Sequence, residues 1–148
     1  QLISEINNGY VIFLGVKKGD TKENADYFIK KIPTLRICED ENGKINKSII
    51  DTKGEILLVS QFTLYADTSA GNRPSFVNSM RPDPANELYK QFVEILINEY
   101  HIPTKMGVLF NLKIFLTDVK PKIYLGEEYY AFHTICYDYF GDKYGRMA

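Results

Sequence analysis

Apolar positions fall along the chain in two patterns, continuous runs and helical stripes. Residues 9–16, GYVIFLGV, form a short apolar run that ends before the turn Lys18-Gly19-Asp20. Residues 55–65, EILLVSQFTLY, begin with four apolar residues and continue through β-branched and aromatic ones. Runs of this kind predict strands buried on both faces. Alternation along the second places Leu57, Val59, Gln61 and Thr63 on one face, with Ile56, Leu58, Ser60, Phe62 and Leu64 on the other. Gln61 and Thr63 are then polar groups at the end of an apolar strand, and such groups need partners or a ligand.

The helical stripes come next. Ala25, Phe28, Ile29 and Ile32 recur at helical spacing and predict a helix over about Thr21 to Lys31. Asp20 and Glu23 have capping-box spacing at its start, and Pro33 sets its stop. Leu88, Phe92, Ile95 and Leu96 mark a second helix to about Glu99, with Asp83 as cap and Pro84 at the first helical position. Leu35 to Cys38 reads as a brief strand, and Asn42-Gly43 centres a hairpin turn. Residues 66–84 hold Gly71, Pro74, Pro82 and Pro84 among small polar residues, a long loop of the kind that is usually functional or disordered. Further strands are expected at about 108–116 and 123–125. A further strand over 131–140 would have poor periodicity, and residues 126–148 are rich in Tyr and Phe.

Composition narrows the class. A chain of 148 residues accommodates one domain with a substantial core. Its net charge of −1 argues against a strongly basic nucleic-acid binder, while leaving room for a local basic patch. No apolar run approaches the about 18 residues of a membrane span. The N-terminus lacks the regions of a signal peptide and an initiator Met, so a trimmed chain is expected. Cys38 and Cys136 have no ligand spacing and read as reduced thiols, which predicts a cytoplasmic protein.

Candidate chemistry is sparse. His101 and His133 stand alone, outside any zinc-binding spacing, so no metal is expected. Ser60 is not in a nucleophile elbow, and only two histidines exist to build a triad. No Gly-rich phosphate cradle precedes a helix. Lys17-Lys18 and Lys30-Lys31 are candidate phosphate-binding edges, or simply solvated charges. From these residues alone, Gln61 and Thr63 are either a strand end satisfied by backbone bonds or the start of a site.

Longer words of sequence go further. Ser60-Gln61-Phe62-Thr63-Leu64, then Tyr65-Ala66-Asp67-Thr68 and Gly71-Asn72-Arg73-Pro74-Ser75-Phe76, resemble the motif and following loop of the D-aminoacyl-tRNA deacylases, also called D-tyrosyl-tRNA deacylases. Leu14 to Thr21, Leu35-Arg36-Ile37 and Gly43 to Asn46 also fit, so the resemblance spans about Ser4 to Leu96. It implies an α/β domain of barrel-like β-sheets packed with two main helices, over residues 1–125, with an extension at 126–148. It implies a homodimeric enzyme without cofactor that hydrolyses the ester between a D-amino acid and the 3′ end of tRNA. It also implies an oxyanion site from the backbone N–H groups of Gln61 and Phe62, with Thr63 at the substrate beside Ser60. The loop bearing Arg73 and Phe76 would help hold the terminal adenosine.

Two departures qualify the match. The family begins with a further strand and hairpin bearing an arginine, which would cover a sheet edge. It also has an Asn-Asp-Gly-Pro-Val-Thr motif, whose cis Gly-Pro segment enters the partner's pocket and rejects L-amino acids. Here Lys120-Pro121 stands at that place, with Lys for Gly. Lys120 and Pro121 are therefore expected at the substrate, with altered selectivity. The alternative is a non-catalytic homologue that binds tRNA or another nucleic acid, or a purely structural dimeric domain.

Overall fold

The computed structural model describes residues 4–107. The expectations for strands beyond 107, for the division at 125 and for Lys120 and Pro121 lie outside the described residues. Among the described residues, five strands and two α-helices follow in the order β1 (Gly9–Leu14), α1 (Lys22–Lys31), β2 (Cys38–Glu39), β3 (Ile45–Lys47), β4 (Glu55–Ser60), α2 (Pro82–Asn98) and β5 (Thr104–Met106). β1, β4 and β5 form a parallel sheet with β4 central, and β2 and β3 form a separate antiparallel hairpin. The α/β class with two main helices is borne out. Among the described residues the parallel sheet is open, with β1 and β5 at its edges.

The two apolar runs become neighbours in register, Ile12 opposite Leu58 and Leu14 opposite Ser60. One face of the pair, Ile12, Ile56 and Leu58, packs under Ile29 and Ile32 and under Phe92, Val93 and Leu96 of α2. The other, Val11, Phe13, Leu57 and Val59, packs against Ile6 and Leu64. This two-sided burial explains why the strands read as continuous apolar runs.

Element ends differ from the sequence reading, each for a local reason. Thr21, not Asp20, caps α1: its N–H donates to Asn24 Oδ1 at 2.9 Å. The Asp20 carboxylate instead accepts the Lys17 N–H at 2.7 Å and closes the preceding turn. α2 starts at Pro82, with Arg81 as cap, because both prolines fit the first turn, where no N–H is required. β2 begins at Cys38, not Leu35, because Leu35 still donates to Ile32 O in the turn after α1. The hairpin itself is as expected, with Gly43 at φ 73°, a conformation that glycine adopts without steric cost. β5 has no counterpart in the sequence reading, since Thr104 is its one buried residue.

The stripe on α2 is also turned by one residue: Tyr89 and Val93 are buried with Phe92 and Leu96, while Leu88 and Ile95 are half-buried. Tyr89 accepts burial because its O–H donates to Leu58 O at 2.7 Å. That carbonyl also receives the Gly107 N–H at 2.8 Å. Tyr89→Phe is therefore expected to cost only about 0.5–1 kcal/mol in urea unfolding, since the acceptor keeps a donor. Burial pushes the Tyr89 phenol up to about 12. A phenol raised in the folded state stabilises fully below its ordinary value near 10, and this contribution fades as pH rises through the folded value. Stability should fall between about pH 10 and pH 12, and Tyr89→Phe should flatten that fall.

Candidate functional site at the carboxyl end of the sheet

The strand over 55–65 stops at Ser60. Its partner β1 ends at Leu14, so no ladder remains to continue it. Gln61 is still extended, and its N–H donates to Leu14 O at 2.8 Å. The chain then closes a 3₁₀ turn, Phe62–Tyr65. Gln61 and Thr63 therefore do not continue a strand face. They meet across the turn, the Gln61 side-chain amide donating to Thr63 Oγ1. Their need for partners is met between them. The turn seats on Gly15, where an added Cβ would lie 3.0 Å from Tyr65 Cε2 and 3.2 Å from Leu64, so a bare backbone suits this place.

One oxyanion donor expected from the sequence is already used. The Gln61 N–H is committed to Leu14, so it cannot also hold a substrate oxygen. A 3₁₀ turn leaves its first N–H groups without intrahelical partners. Here the first bond runs from Leu64 N to Gln61 O, and among the described residues the N–H groups of Phe62 and Thr63 have no acceptor. Two adjacent donors thus stand at the carboxyl end of a parallel sheet, the usual ligand side of such sheets. The Thr63 hydroxyl faces an amide donor rather than a base, and His101 is exposed after α2. Nothing among the described residues activates Thr63 as a nucleophile.

The long loop is anchored beside this turn. Asp67 and Ser75 exchange two backbone bonds of 2.8 Å. Ser79 Oγ donates to Phe62 O at 3.0 Å, a contact that no local pattern of residues signals. The Phe76 ring meets Phe62 edge-on with centroids 5.1 Å apart. Met80 N to Val16 O, 2.9 Å, and Lys18 N to Asn78 O, 2.8 Å, tie the loop's end to the segment after β1. The structure thus unites Ser60, Gln61, Phe62, Thr63 and Phe76. Arg73 is exposed in the loop and makes no hydrogen bond to that group among the described residues. Lys17 and Lys18 lie at this end of the sheet, whereas Lys30 and Lys31 close the far end of α1. Among the described residues no cluster of His, Cys, Asp or Glu could hold a metal, and no helix is long and apolar enough to cross a membrane.

The chain is similar to known proteins over most of its length. The family model described as D-Tyr-tRNA(Tyr) deacylase matches residues 1–114. A D-aminoacyl-tRNA deacylase of Persephonella marina is 52% identical over 126 residues, covering 84% of either chain. One from Aquifex aeolicus is 48% identical over 108 residues, covering 73% of this chain and 72% of its own. Among solved structures, the c-Myc DNA Unwinding Element Binding Protein superposes with a TM-score of 0.64 at 38% identity, covering 72% of this chain and 74% of its own. With its motif, its parallel sheet and matches of this length, the chain belongs to the D-Tyr-tRNA(Tyr) deacylase family.

Proposed function

We propose that this protein is an ester hydrolase that cleaves D-aminoacyl-tRNA into free D-amino acid and tRNA. The observation that carries the reading is the pair of N–H groups, Phe62 and Thr63, that have no acceptor among the described residues, on a stretch that the deacylase family model matches. An aminoacyl ester is already activated, so a placed water and a stabilised oxyanion are enough. Water adds to the ester carbonyl, and the developing oxyanion is held by the N–H groups of Phe62 and Thr63. Collapse breaks the acyl–oxygen bond, and the ribose oxygen leaves with a proton. The Thr63 hydroxyl positions the substrate and does not attack it. Ser60 supports the turn from the end of β4. Phe62 and Phe76 offer an edge-on aromatic pair on which the terminal base stacks. Arg73, Lys17 and Lys18 supply phosphate contacts at the same end.

In this reading the partner is the acceptor end of aminoacyl-tRNA in the cytoplasm. The protein acts as a homodimer without cofactor, and Lys120-Pro121 of the second subunit completes each pocket. A second reading, nucleic-acid binding without hydrolysis, takes support from the name of the solved neighbour and from Lys120 in place of glycine. Incubation of the full chain with D-Tyr-tRNA and L-Tyr-tRNA, following free tyrosine, separates the two. Release from the D-ester, faster than from the L-ester, is expected. Retained tRNA binding with no release from either ester would replace the first reading by the second.

A further inference from the structure

A cavity of about 160 Å³ opens on the helix side of the sheet. Its floor is apolar, with Ile12, Leu14, Phe28 and Phe92 among its walls, and its mouth is polar, with Asp20, Asn24 and Tyr65. Leu64 and Tyr65 bring the 3₁₀ turn to its wall, but none of Ser60, Gln61, Phe62, Thr63, Arg73 or Phe76 lines it, so it adjoins the acyl site without sharing those residues. Its volume matches that of cavities that take a single benzene-sized ring, about 150 Å³. The mouth offers a ligand defined hydrogen-bonding groups. Asp20 uses Oδ2 for the Lys17 N–H, and among the described residues Oδ1 has no partner. Asn24 accepts from Thr21 through Oδ1, and among the described residues its amide hydrogens have no acceptor. Asp20 places a carboxylate at the mouth, and burial first, and then that charge, push the Tyr65 phenol up. Glu23 in the first turn of α1 offsets the positive end of that helix.

We propose that this cavity is a second small-molecule site, for a compact ring that carries a protonated amine on a short chain. The ring displaces water from the apolar floor, and the ammonium sits on Asp20, with the Tyr65 hydroxyl beside it. A carboxylate at the same position on the ligand would face Asp20 and be rejected. The site does not depend on the deacylase reading.

The test is an NMR titration of the full chain with phenethylamine, 2-phenylethanol and 3-phenylpropionate, observing methyl resonances. Phenethylamine should shift the methyls of Ile12, Leu14 and Ile32 with a Kd on the order of 1 mM, and the acid should not bind. Asp20→Asn still accepts the Lys17 N–H, so the fold is kept. It should weaken the amine about tenfold and leave the alcohol unchanged. Ala25→Phe fills the cavity from α1 and should abolish both, and Leu88→Phe does the same from α2 should the first variant unfold. Equal binding of amine and acid would overturn the proposal. So would amine binding that survives a folded, filled variant.

Discussion

Phe62→Pro is expected to hydrolyse D-Tyr-tRNA about 10²–10³ times more slowly than Phe62→Ala, the size of effect seen when one oxyanion donor is removed. The comparison is built so that both variants lose the aromatic ring. Each gives up the edge-on contact with Phe76, of order 0.5–1.5 kcal/mol. Only proline also removes the N–H. The backbone accepts proline here for three reasons. Phe62 is the first residue of the 3₁₀ turn, its N–H has no acceptor among the described residues, and Gln61 before it is extended, with φ −140°. The carbonyl that receives Ser79 Oγ is unchanged. The loss should fall on kcat and not on KM, because an oxyanion forms only after attack. Equal rates for the two folded variants would remove Phe62 N–H from the reaction and leave the donor role to Thr63 alone.

That experiment depends on a feature that the residues alone do not display. β1, β4, α1 and α2 were legible, because continuous apolar runs and stripes at helical spacing answer to burial, and burial decides these four. The end of β4 was not. Phe62, Thr63 and Leu64 have strand-like side chains, yet pairing partners decide where a strand stops, and β1 offers none past Leu14. The same register fixes which amide is free. Gln61 and Phe62 look alike as donors in sequence, and only the Leu14 carbonyl, 2.8 Å from Gln61 N, tells them apart. β5 escaped notice because a three-residue edge strand with one buried side chain has no periodicity to find. The cavity mouth needed α1, α2 and the 3₁₀ turn to converge, which no local pattern encodes. The motif marks the proposed site, and the register decides which of its N–H groups the sheet already uses.

Phe92→Ala should remove about 4–5 kcal/mol of stability, the upper part of the range for truncating a buried aromatic residue. Phe92 is 1% exposed and packs in the cluster that joins α1, α2 and β4. It also forms part of the wall of the 160 Å³ cavity. At an ordinary core site, neighbours relax into the space left by a removed ring and recover some contacts. Here the new void merges with one that already exists, so the surviving side chains have fewer atoms to move toward. A domain with about 5–15 kcal/mol in total would be left marginal. Ile97→Ala on the same helix is the control. Ile97 is 40% exposed, so its truncation should change stability by no more than about 0.5 kcal/mol. Urea unfolding of the three proteins measures both effects as shifts in midpoint at constant slope. A cost for Phe92→Ala near that of Ile97→Ala would mean that the helix does not rest on this ring. A cost near the lower end, about 3 kcal/mol, would mean that the cavity walls collapse more freely than their packing implies.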